Sequence, residues 1–476
     1  MSQVETESRS LKSGQIGTWG IIFMVISAAA PLTVVAGSFP AAYAFGGIGV
    51  AGSMLIAGLV LLAFASGFTA MSKYVRNAGA FYAYAGKGLG KPVGVGISLV
   101  TIVSYVVLSI SFYGLIGFFG NITGNALFGA DIPWWVYSGV ALVAIFLLGR
   151  RQVEVGAKIL GILLTAEVTV VVIIMVSILV QGGPEPLSLA PFDLSNSLFS
   201  PTAGILYVFA FGAFLGFEGT AVYAEEARNP ERSIPRATYG AVAFLAVFYS
   251  LAAFMFAYGF GFQGIIDFVT TQDFTSLPYA VAGTFVGDWL VNAMLVLIVT
   301  SFFACLLAFH NASARYMFSL GREKLLPSSL AKVAPSGAPI VANTVLVIVA
   351  AAAILATVVT QGDPYTNLAI GTYAAGTSGL VFAQAIASLA VVMFFLRDRR
   401  GHSPMRVIVL PVVGALGLIA GWFAIVLNYG ALTGWEGIGN TILIVIAPAL
   451  LVAGAVWALT IKSRDSKRYD SLIQSN

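Results

Sequence analysis

The chain has 476 residues, of which 59% are hydrophobic and only 9% are charged, and its formal net charge at pH 7 is +4. Soluble domains carry about 25% charged and about 45–50% apolar residues. A soluble protein of this length could not hide so much apolar surface from water. The composition therefore excludes a soluble enzyme or binding module. It predicts an all-α polytopic membrane protein embedded in the lipid bilayer.

Twelve apolar stretches, each bounded by turn or charged residues, predict twelve membrane-spanning helices. A spanning helix needs about 20 apolar residues to cross roughly 30 Å of hydrocarbon. In chain order the stretches lie at 17–45, 48–71, 93–119, 134–149, 156–180, 201–223, 237–262, 289–314, 338–360, 367–396, 405–428 and 440–461.

The basic residues predict the orientation of these spans. In a twelve-span arrangement all 24 lysines and arginines fall on the side of the N-terminus, and the opposite loops carry only acidic charges. Cytoplasmic loops of membrane proteins are enriched in Lys and Arg. We therefore expect both the N-terminal tail (1–16) and the C-terminal tail (462–476) to be cytoplasmic. The expected location is the inner or plasma membrane of the cell.

The sequence lacks the motifs of common metal and cofactor sites. Its single cysteine, Cys305, cannot form an intrachain disulfide. There is no Cys/His cluster with zinc spacing and no Gly-Lys-Ser/Thr phosphate loop. The pI near 9.0 comes from basic residues scattered over short loops, which is typical of membrane topology. We expect no metal, no cofactor, no nucleic-acid partner and no enzymatic activity, and the oligomeric state is left open.

Two predicted spans are interrupted. The first contains Ser27-Ala28-Ala29-Ala30-Pro31, and the proline removes a backbone donor and clashes with the preceding turn. The sixth contains Gly212 and then Gly216-Phe217-Glu218-Gly219. Small residues also serve helix packing, but these interruptions lie five spans apart, in corresponding places of two halves. Five is an odd number, so the second half runs inverted.

Interrupted helices at corresponding places of inverted halves point to the binding site of a transporter. Backbone groups that are freed at membrane depth must bind something. Freed amides at a helix N-terminus favour a carboxylate, and freed carbonyls favour a cation. The sequence therefore predicts a secondary transporter for a small zwitterion or amine.

Two carboxylates, Glu167 and Glu218, remain inside apolar spans. A charged residue at the bilayer centre costs about 2.5–3.5 kcal/mol on insertion scales, so it usually faces a cavity or a partner. Each glutamate is either a protonated side chain bonded to a neighbouring helix, or a proton carrier or substrate ligand. A pair in an otherwise uncharged core favours the functional interpretation.

Three stretches resemble the amino acid–polyamine–organocation (APC) superfamily. FGAFLGFEGTAVYAEEARNPERSIPR, from Phe211 to Arg236, is similar to the end of that superfamily's sixth span and the loop after it. RNAGAFYAYAGKGLG at 76–90 and NASARYMFSLGREKLLP at 311–327 are similar to its loops after spans two and eight. The three motifs occur in the superfamily's order.

The resemblance implies a LeuT-like five-plus-five inverted repeat at 17–180 and 201–396, with helices 1 and 6 broken and two helices appended at 405–461. It implies alternating-access import or exchange of amino acids or polyamines. The substrate's carboxylate would meet amides near Ala28–Pro31, and its amino group would meet carbonyls near Gly212–Leu215. The expected substrate-binding residues are Ser27, Ala28, Ala29, Ala30, Pro31, Phe211, Gly212, Phe214, Leu215, Gly216 and Glu218.

The chain departs from the superfamily's pattern at two places. Alanines and Pro31 replace the usual Gly-x-Gly turn of the first span. Many members carry an aromatic gate six residues before the span-six glutamate, where this chain has Gly212. Either Phe211 or Phe214 takes over that gate, or the pocket is roomier.

The resemblance also bears on the coupling ion. Proton-coupled members of similar sequence place a span-five lysine at the ion position, where this chain has Glu167. We expect proton symport with Glu167 as the first carrier and Glu218 as the second. A sodium site would need hydroxyls on span eight. The adjacent pair there, Thr300 and Ser301, is expected to bond back to the preceding turn, and the ion position is expected nearer Ala304–Leu306, where no hydroxyl exists.

Charged residues near the cytoplasmic ends of the spans form either a solvated loop or an inner gate. The candidates for the gate are Lys73, Arg76, Glu225, Glu226, Arg228 and Arg315. The favoured function is proton-coupled import of an amino acid. The alternatives are a polyamine or cationic amino acid transporter or exchanger, and a non-transporting nutrient receptor on the same fold.

Overall fold

The structure is a computed structural model that describes residues 17–75, 81–150, 154–222, 227–433 and 438–473, and within these it contains helices and no strands. The helices of the first half are α1 (Thr18–Ala29), α2 (31–46, comprising Pro31–Thr33, the π-helical turn Val34–Ser38 and Phe39–Gly46), α3 (Val50–Met71), α4 (Phe81–Leu89), α5 (Lys91–Phe128), α6 (Trp134–Leu148) and α7 (Glu154–Gln181).

The second half begins with another interrupted helix. Its helices are α8 (Ala203–Ala213), α9 (Gly219–Val222), α10 (Pro230–Phe260), α11 (Phe262–Thr271), α12 (Leu277–Phe285), α13 (Asp288–Arg322), α14 (Ile340–Val359), α15 (Pro364–Arg397, of which Pro364–Ile370 is π-helical), α16 (Met405–Leu427), α17 (Tyr429–Thr433), α18 (Ile438–Arg464) and α19 (Ser466–Ser471). Single 3₁₀ turns lie at Ala190–Phe192, Phe274–Ser276 and Ser328–Ala331.

Nine helices of the described residues are long and apolar enough to cross a membrane: α3, α5, α7, α10, α13, α14, α15, α16 and α18. Their outer faces expose large apolar side chains; Val359 is 73% exposed and Val456 57%. Such surfaces are costly in water but match a hydrocarbon solvent. The chain is therefore an α-helical, multi-pass membrane protein, as the composition predicts.

The other three predicted spans correspond to shorter helices. α6 has 15 residues, and the first and sixth spans are each divided, as α1 with α2 and as α8 with α9. The count of twelve crossings therefore remains a prediction. α5 and α13 extend past the predicted spans, to Phe128 and Arg322. The apolar runs underestimate the lengths of both helices because their last turns contain polar residues that still continue the helix.

Packing brings the two interrupted helices together. The π-helical turn of α2 contacts α8, and α1 contacts α9. α10 lies along α3, and α5 packs against α13, α15 and α18. The two breaks thus lie side by side within the bundle, where surrounding helices exclude lipid from the freed backbone groups.

α18 approaches α5 at two glycines. A Cβ atom on Gly454 would lie 2.6 Å from the Cα atom of Gly96 and 2.8 Å from the carbonyl oxygen of Val95. These neighbours are backbone atoms and cannot rotate away. Small residues let membrane helices approach closely and gain dispersion contact, so this crossing depends on the absence of a side chain.

The C-terminal segment folds back onto the loops at one end of the bundle. The Ile473 side chain is only 3% exposed, and its backbone N–H donates to Glu323 Oε2 over 3.1 Å. The hydroxyl of Tyr82 on α4 donates to the same carboxylate oxygen. Lys91 Nζ donates to the carbonyl of Tyr469 over 2.8 Å. Residues 466–473 therefore tie α4 and the start of α5 to the end of α13, and they are not a free tail.

We expect Gly454→Ala to lower the midpoint of thermal unfolding of the purified protein in detergent. The added methyl group must push α18 away from α5, and such overpacking costs about 1–3 kcal/mol. Gly139→Ala is the matched control, since a Cβ there meets nothing within 4 Å and both substitutions raise helix propensity equally. Equal midpoints for the two variants would contradict this account of the crossing.

Candidate functional site

The first helix is interrupted within the predicted segment Ser27–Pro31. Ala30 adopts a left-handed conformation with φ 38° and ψ 85°, which costs a non-glycine residue of order 1–3 kcal/mol. α1 ends before it, and α2 begins at Pro31. The carbonyl of Ala29 accepts a hydrogen bond from the hydroxyl of Tyr249 over 3.1 Å. The side chains of Ser27 and Ala28 lie outside the described part of the structure.

The backbone amides at this break are already bonded. The N–H of Ala30 donates back to Ile26, and Pro31 has no N–H. The N–H of Leu32 donates to Glu167 Oε2 over 3.3 Å. That of Thr33 donates to Ser301 Oγ over 3.2 Å. In this conformation the helix start therefore binds groups of the protein itself, whereas the sequence led us to expect amides free for a substrate.

Glu167 is the centre of a buried network that joins three helices. Its side chain is 2% exposed, and Ser301 Oγ donates to its Oε2 over 2.8 Å. Thr33 Oγ1 lies 3.0 Å from Ser301 Oγ. Because Ser301 gives its only proton to the carboxylate, its oxygen accepts both the N–H and the O–H of Thr33. The network thus connects α2, α7 and α13 through one carboxylate.

The two adjacent hydroxyls of α13 have different roles. Thr300 Oγ1 bonds back to the carbonyl of Leu297 over 3.0 Å, as expected. Ser301 instead points to Glu167 and Thr33, so the expectation of a back-bond is wrong for this residue. The ion position expected at Ala304–Leu306 stays a prediction; the hydroxyl that meets Glu167 belongs to Ser301, one turn earlier in the helix. The sequence around a serine inside a helix does not indicate which way the side chain points.

The second interruption is closed by its own glutamate. Between α8 and α9 the chain turns through Phe214–Glu218, with Gly216 at φ +105°. The fully buried Glu218 accepts the N–H of Gly216 on Oε2 over 3.0 Å and the hydroxyl of Tyr105 on Oε1 over 3.1 Å. Within the described residues, the carbonyls of Phe211 and Gly212 accept the N–H groups of Phe214 and Leu215 over 3.2 and 3.1 Å.

Neither predicted aromatic replacement occupies the place in front of Gly212. Phe211 packs against Tyr207 with ring centroids 5.8 Å apart, and Phe214 meets Tyr249 edge-on at 5.9 Å. The hydroxyl of Tyr373 on α15 lies there instead, 2.1 Å from where a Cβ on residue 212 would stand. Gly212 and Tyr373 are distant in sequence, so no local pattern could have paired them.

A small cavity lies between α2, α5, α8 and the first turns of α15. Its volume is about 30 Å³, and its lining includes Thr33, Ser38, Phe209, Tyr365 and Tyr373. Thr33 connects this cavity to the Glu167 network, because it bonds Ser301.

The predicted cytoplasmic gate is only partly described. Arg76, Glu225 and Glu226 lie outside the described residues, so their pairing remains a prediction. Arg228 is exposed and Arg315 is buried. Lys73 lies near the loop before α16, where burial, and then the positive charges of Arg406 and Lys73, lower the pKa of His402.

Comparison with known proteins identifies the family. The sequence profile described as Amino acid permease matches residues 16–454. The chain belongs to this family. The resemblance to APC superfamily permeases is thereby confirmed.

Individual relatives of this permease are distant. It is 26% identical over 292 residues to the lysine-specific permease LysP of Lactococcus lactis, covering 57% of this chain and 54% of that protein. It is 24% identical over 387 residues to the methylthioribose transporter of Bacillus subtilis, covering 78% and 79%. It is 27% identical over 227 residues to the aromatic amino acid transport protein AroP of Escherichia coli, covering 46% and 47%. The first and third alignments span only about half of those relatives.

Removing the Ser301 hydroxyl should destabilise this permease more than removing the hydroxyl of the adjacent Thr300. Ser301→Ala leaves the Thr33 N–H without its acceptor and takes one donor from Glu167, and an unsatisfied buried polar group costs about 1–3 kcal/mol. Thr300→Ala removes only a bond within its own helix. We expect a lower thermal midpoint in detergent for Ser301→Ala. A Thr300→Ala variant that is equally or less stable would refute the network.

Proposed function

We propose that this permease imports an amino acid across the cell membrane by proton symport with alternating access. The observation that carries the proposal is the buried Glu167 carboxylate, which bonds the start of α2 and the hydroxyl of Ser301 at once. A carboxylate held between three helices changes their mutual attraction when it gains or loses a proton. In this proposal, proton transfer and helix rearrangement are therefore linked at the Glu167 carboxylate.

The donors around Glu167 favour a proton over a sodium ion. Two backbone N–H groups point at the oxygens of Glu167 and Ser301, and the N-terminal end of a helix carries a partial positive charge. A sodium ion needs oxygen lone pairs and is repelled by such donors. A proton on the carboxylate needs neither a coordination shell nor the removal of these amides. Glu218, bonded at the second break, is the second carrier in the proposal.

The substrate site of the proposal lies between the two breaks. It comprises the segment Ser27–Pro31 and the span-six residues Phe211, Gly212, Phe214, Leu215, Gly216 and Glu218. Carbonyls near Gly212–Leu215 would receive the substrate's amino group. The substrate's carboxylate would take an α2 amide when Glu167 releases it. The breaks lie in contact and five spans apart, which supports a LeuT-like inverted repeat at 17–180 and 201–396 with two helices appended at 405–461.

The relatives keep other substrates open. One is named as a lysine-specific permease, which favours the alternative of a cationic amino acid or polyamine carrier or exchanger, with Glu218 ionised. Another is named as a methylthioribose transporter. A non-transporting receptor on the same fold is the remaining alternative. Uptake of a substrate in the assay below would exclude it.

The proposal is tested by uptake into liposomes that contain the purified permease. Radiolabelled amino acids and polyamines are supplied with an inward proton gradient and, separately, with a sodium gradient. At one proton per substrate, one pH unit supports about tenfold accumulation, since about 1.4 kcal/mol corresponds to a factor of ten. We expect proton-driven accumulation of an amino acid.

In the same assay Glu167→Gln should retain exchange of substrate but lose accumulation, because the amide cannot carry the proton. Glu185→Gln, in a loop between α7 and α8, is the control and should accumulate substrate normally. Sodium-dependent accumulation, or normal accumulation by Glu167→Gln, would overturn proton coupling at this residue. Transport of no compound under either gradient would overturn the transporter proposal.

We further propose that both termini are cytoplasmic, which impermeant maleimide labelling of intact cells can test. The only native cysteine, Cys305, is buried, so it contributes little background. Ser188 and Ser403 are both exposed, in loops on opposite sides of the proposed membrane. Ser188→Cys should be labelled and Ser403→Cys should not. The reverse pattern would invert the orientation.

A further inference from the structure

The space beside Gly212 is filled by a tyrosine from another helix. A Cβ atom on residue 212 would lie 2.1 Å from the hydroxyl oxygen of Tyr373 and 2.6 Å from its Cζ atom. Tyr373 belongs to α15, and its ring stacks on Phe209 of α8 with centroids 6.4 Å apart and planes 22° apart. The Tyr373 ring can therefore lie here only because residue 212 on α8 is a glycine, which has no side chain.

Two π-helical turns line the same cavity as Tyr373. One is Val34–Ser38 of α2, and the other is Pro364–Ile370 at the start of α15. They are bridged by the hydroxyl of Tyr365, which donates to the carbonyl of Gly37 over 3.3 Å. π-Helical turns are rare and occur frequently at functional sites. Both turns contribute side chains to the same cavity.

The start of α15 is also fixed from outside the cavity. Asp363 caps it, since its Oδ1 accepts the N–H of Tyr365 over 3.0 Å and that of Thr366 over 2.7 Å. The Tyr365 ring packs against Phe118 of α5 with centroids 4.9 Å apart. The start of the helix that carries Tyr373 is therefore anchored, so the Tyr373 side chain can limit the size of the cavity.

The cavity itself is small and uncharged. It measures about 30 Å³, and the lining residues with polar side chains all carry hydroxyl groups: Thr33, Ser38, Tyr365 and Tyr373. Among the described residues, no Asp, Glu, Lys or Arg lines it. A charged side chain of a substrate would be desolvated there without a partner, at a high free-energy cost. A large one would have to displace the Tyr373 ring.

From these contacts we infer that Tyr373, in the room left by Gly212, sets the upper size of the substrate's side chain and restricts the permease to small, uncharged amino acids. The inference rests on the proposed amino acid transport and specifies its substrate class. Tyr373 is a specificity-determining residue that closes the cavity, while the proton is carried elsewhere, at Glu167.

The test compares alanine and leucine uptake in liposomes by wild type, Tyr373→Ala and a control, Tyr258→Ala. Tyr258 stacks on Phe254, away from the cavity. An extra methylene that a pocket cannot hold costs about tenfold or more in specificity. We expect wild type to prefer alanine, and Tyr373→Ala to raise the leucine-to-alanine ratio of kcat/KM at least tenfold, mainly through the KM of leucine. The control should keep the wild-type ratio.

A second pair of variants tests the contact itself. Gly212→Ala should reduce alanine uptake, because its methyl group drives the Tyr373 ring into the cavity. Adding Tyr373→Phe removes the nearest atom and should restore part of that uptake, whereas Tyr258→Phe should not. Thermal midpoints and expression levels of all variants are compared, so that a folding defect is recognised.

The outcomes separate this inference from the proposed function. If wild type transports amino acids but Tyr373→Ala leaves the leucine-to-alanine ratio unchanged, the inference is wrong and the transport proposal stands. The same holds if wild type prefers lysine or leucine to alanine. If wild type moves no amino acid under a proton or a sodium gradient, both proposals fail.

Discussion

Backbone groups at membrane depth must be bonded inside the protein, and the structure around the two breaks follows from that constraint. Pro31 ends the regular hydrogen bonding of the first helix, and the next two amides need acceptors. Glu167 and Ser301 supply them from α7 and α13. A break made by local sequence is therefore stable only because distant helices bring oxygen atoms to it. This dependence makes the bonds at the break sensitive to the charge of one carboxylate.

The two buried glutamates meet that constraint in different ways. Among the described residues, Glu218 bonds the amide of Gly216, two residues away, and the hydroxyl of Tyr105 on another helix. Glu167 bonds groups on two other helices. Protonating Glu218 acts mainly on the turn that contains it, whereas protonating Glu167 changes the attraction between separate helices. In the proposed symport, the Glu167 arrangement is the one through which a proton would bias a rearrangement of the bundle, since a global change requires an element whose contacts differ between states.

Much of the fold was predictable because its signals are local. Apolar runs placed the nine long apolar helices of the described residues within a few residues at most of their ends. The exceptions are α5, α10 and α13, which include polar turns that hydropathy cannot assign. Pro31 and the glycines of span six marked both breaks. The site was predictable only in part. Glu167 and Glu218 stood out as charges in apolar spans, but Ser301 did not differ visibly from Thr300, and no local pattern indicated that Tyr373 lies beside Gly212.

The sequence by itself determined that the chain is a multi-pass helical protein, which motifs it shares with the permease family, and where two helices are interrupted. These properties depend on the free energy of transferring each segment into hydrocarbon and on backbone sterics, which neighbouring residues decide. Only the tertiary structure decided that Ser301 meets Glu167, that Tyr373 fills the space beside Gly212, and that Ile473 packs beneath α4. Those contacts depend on how each helix is rotated and where it crosses its partners, and the free energy that fixes them comes from residues far apart in the chain.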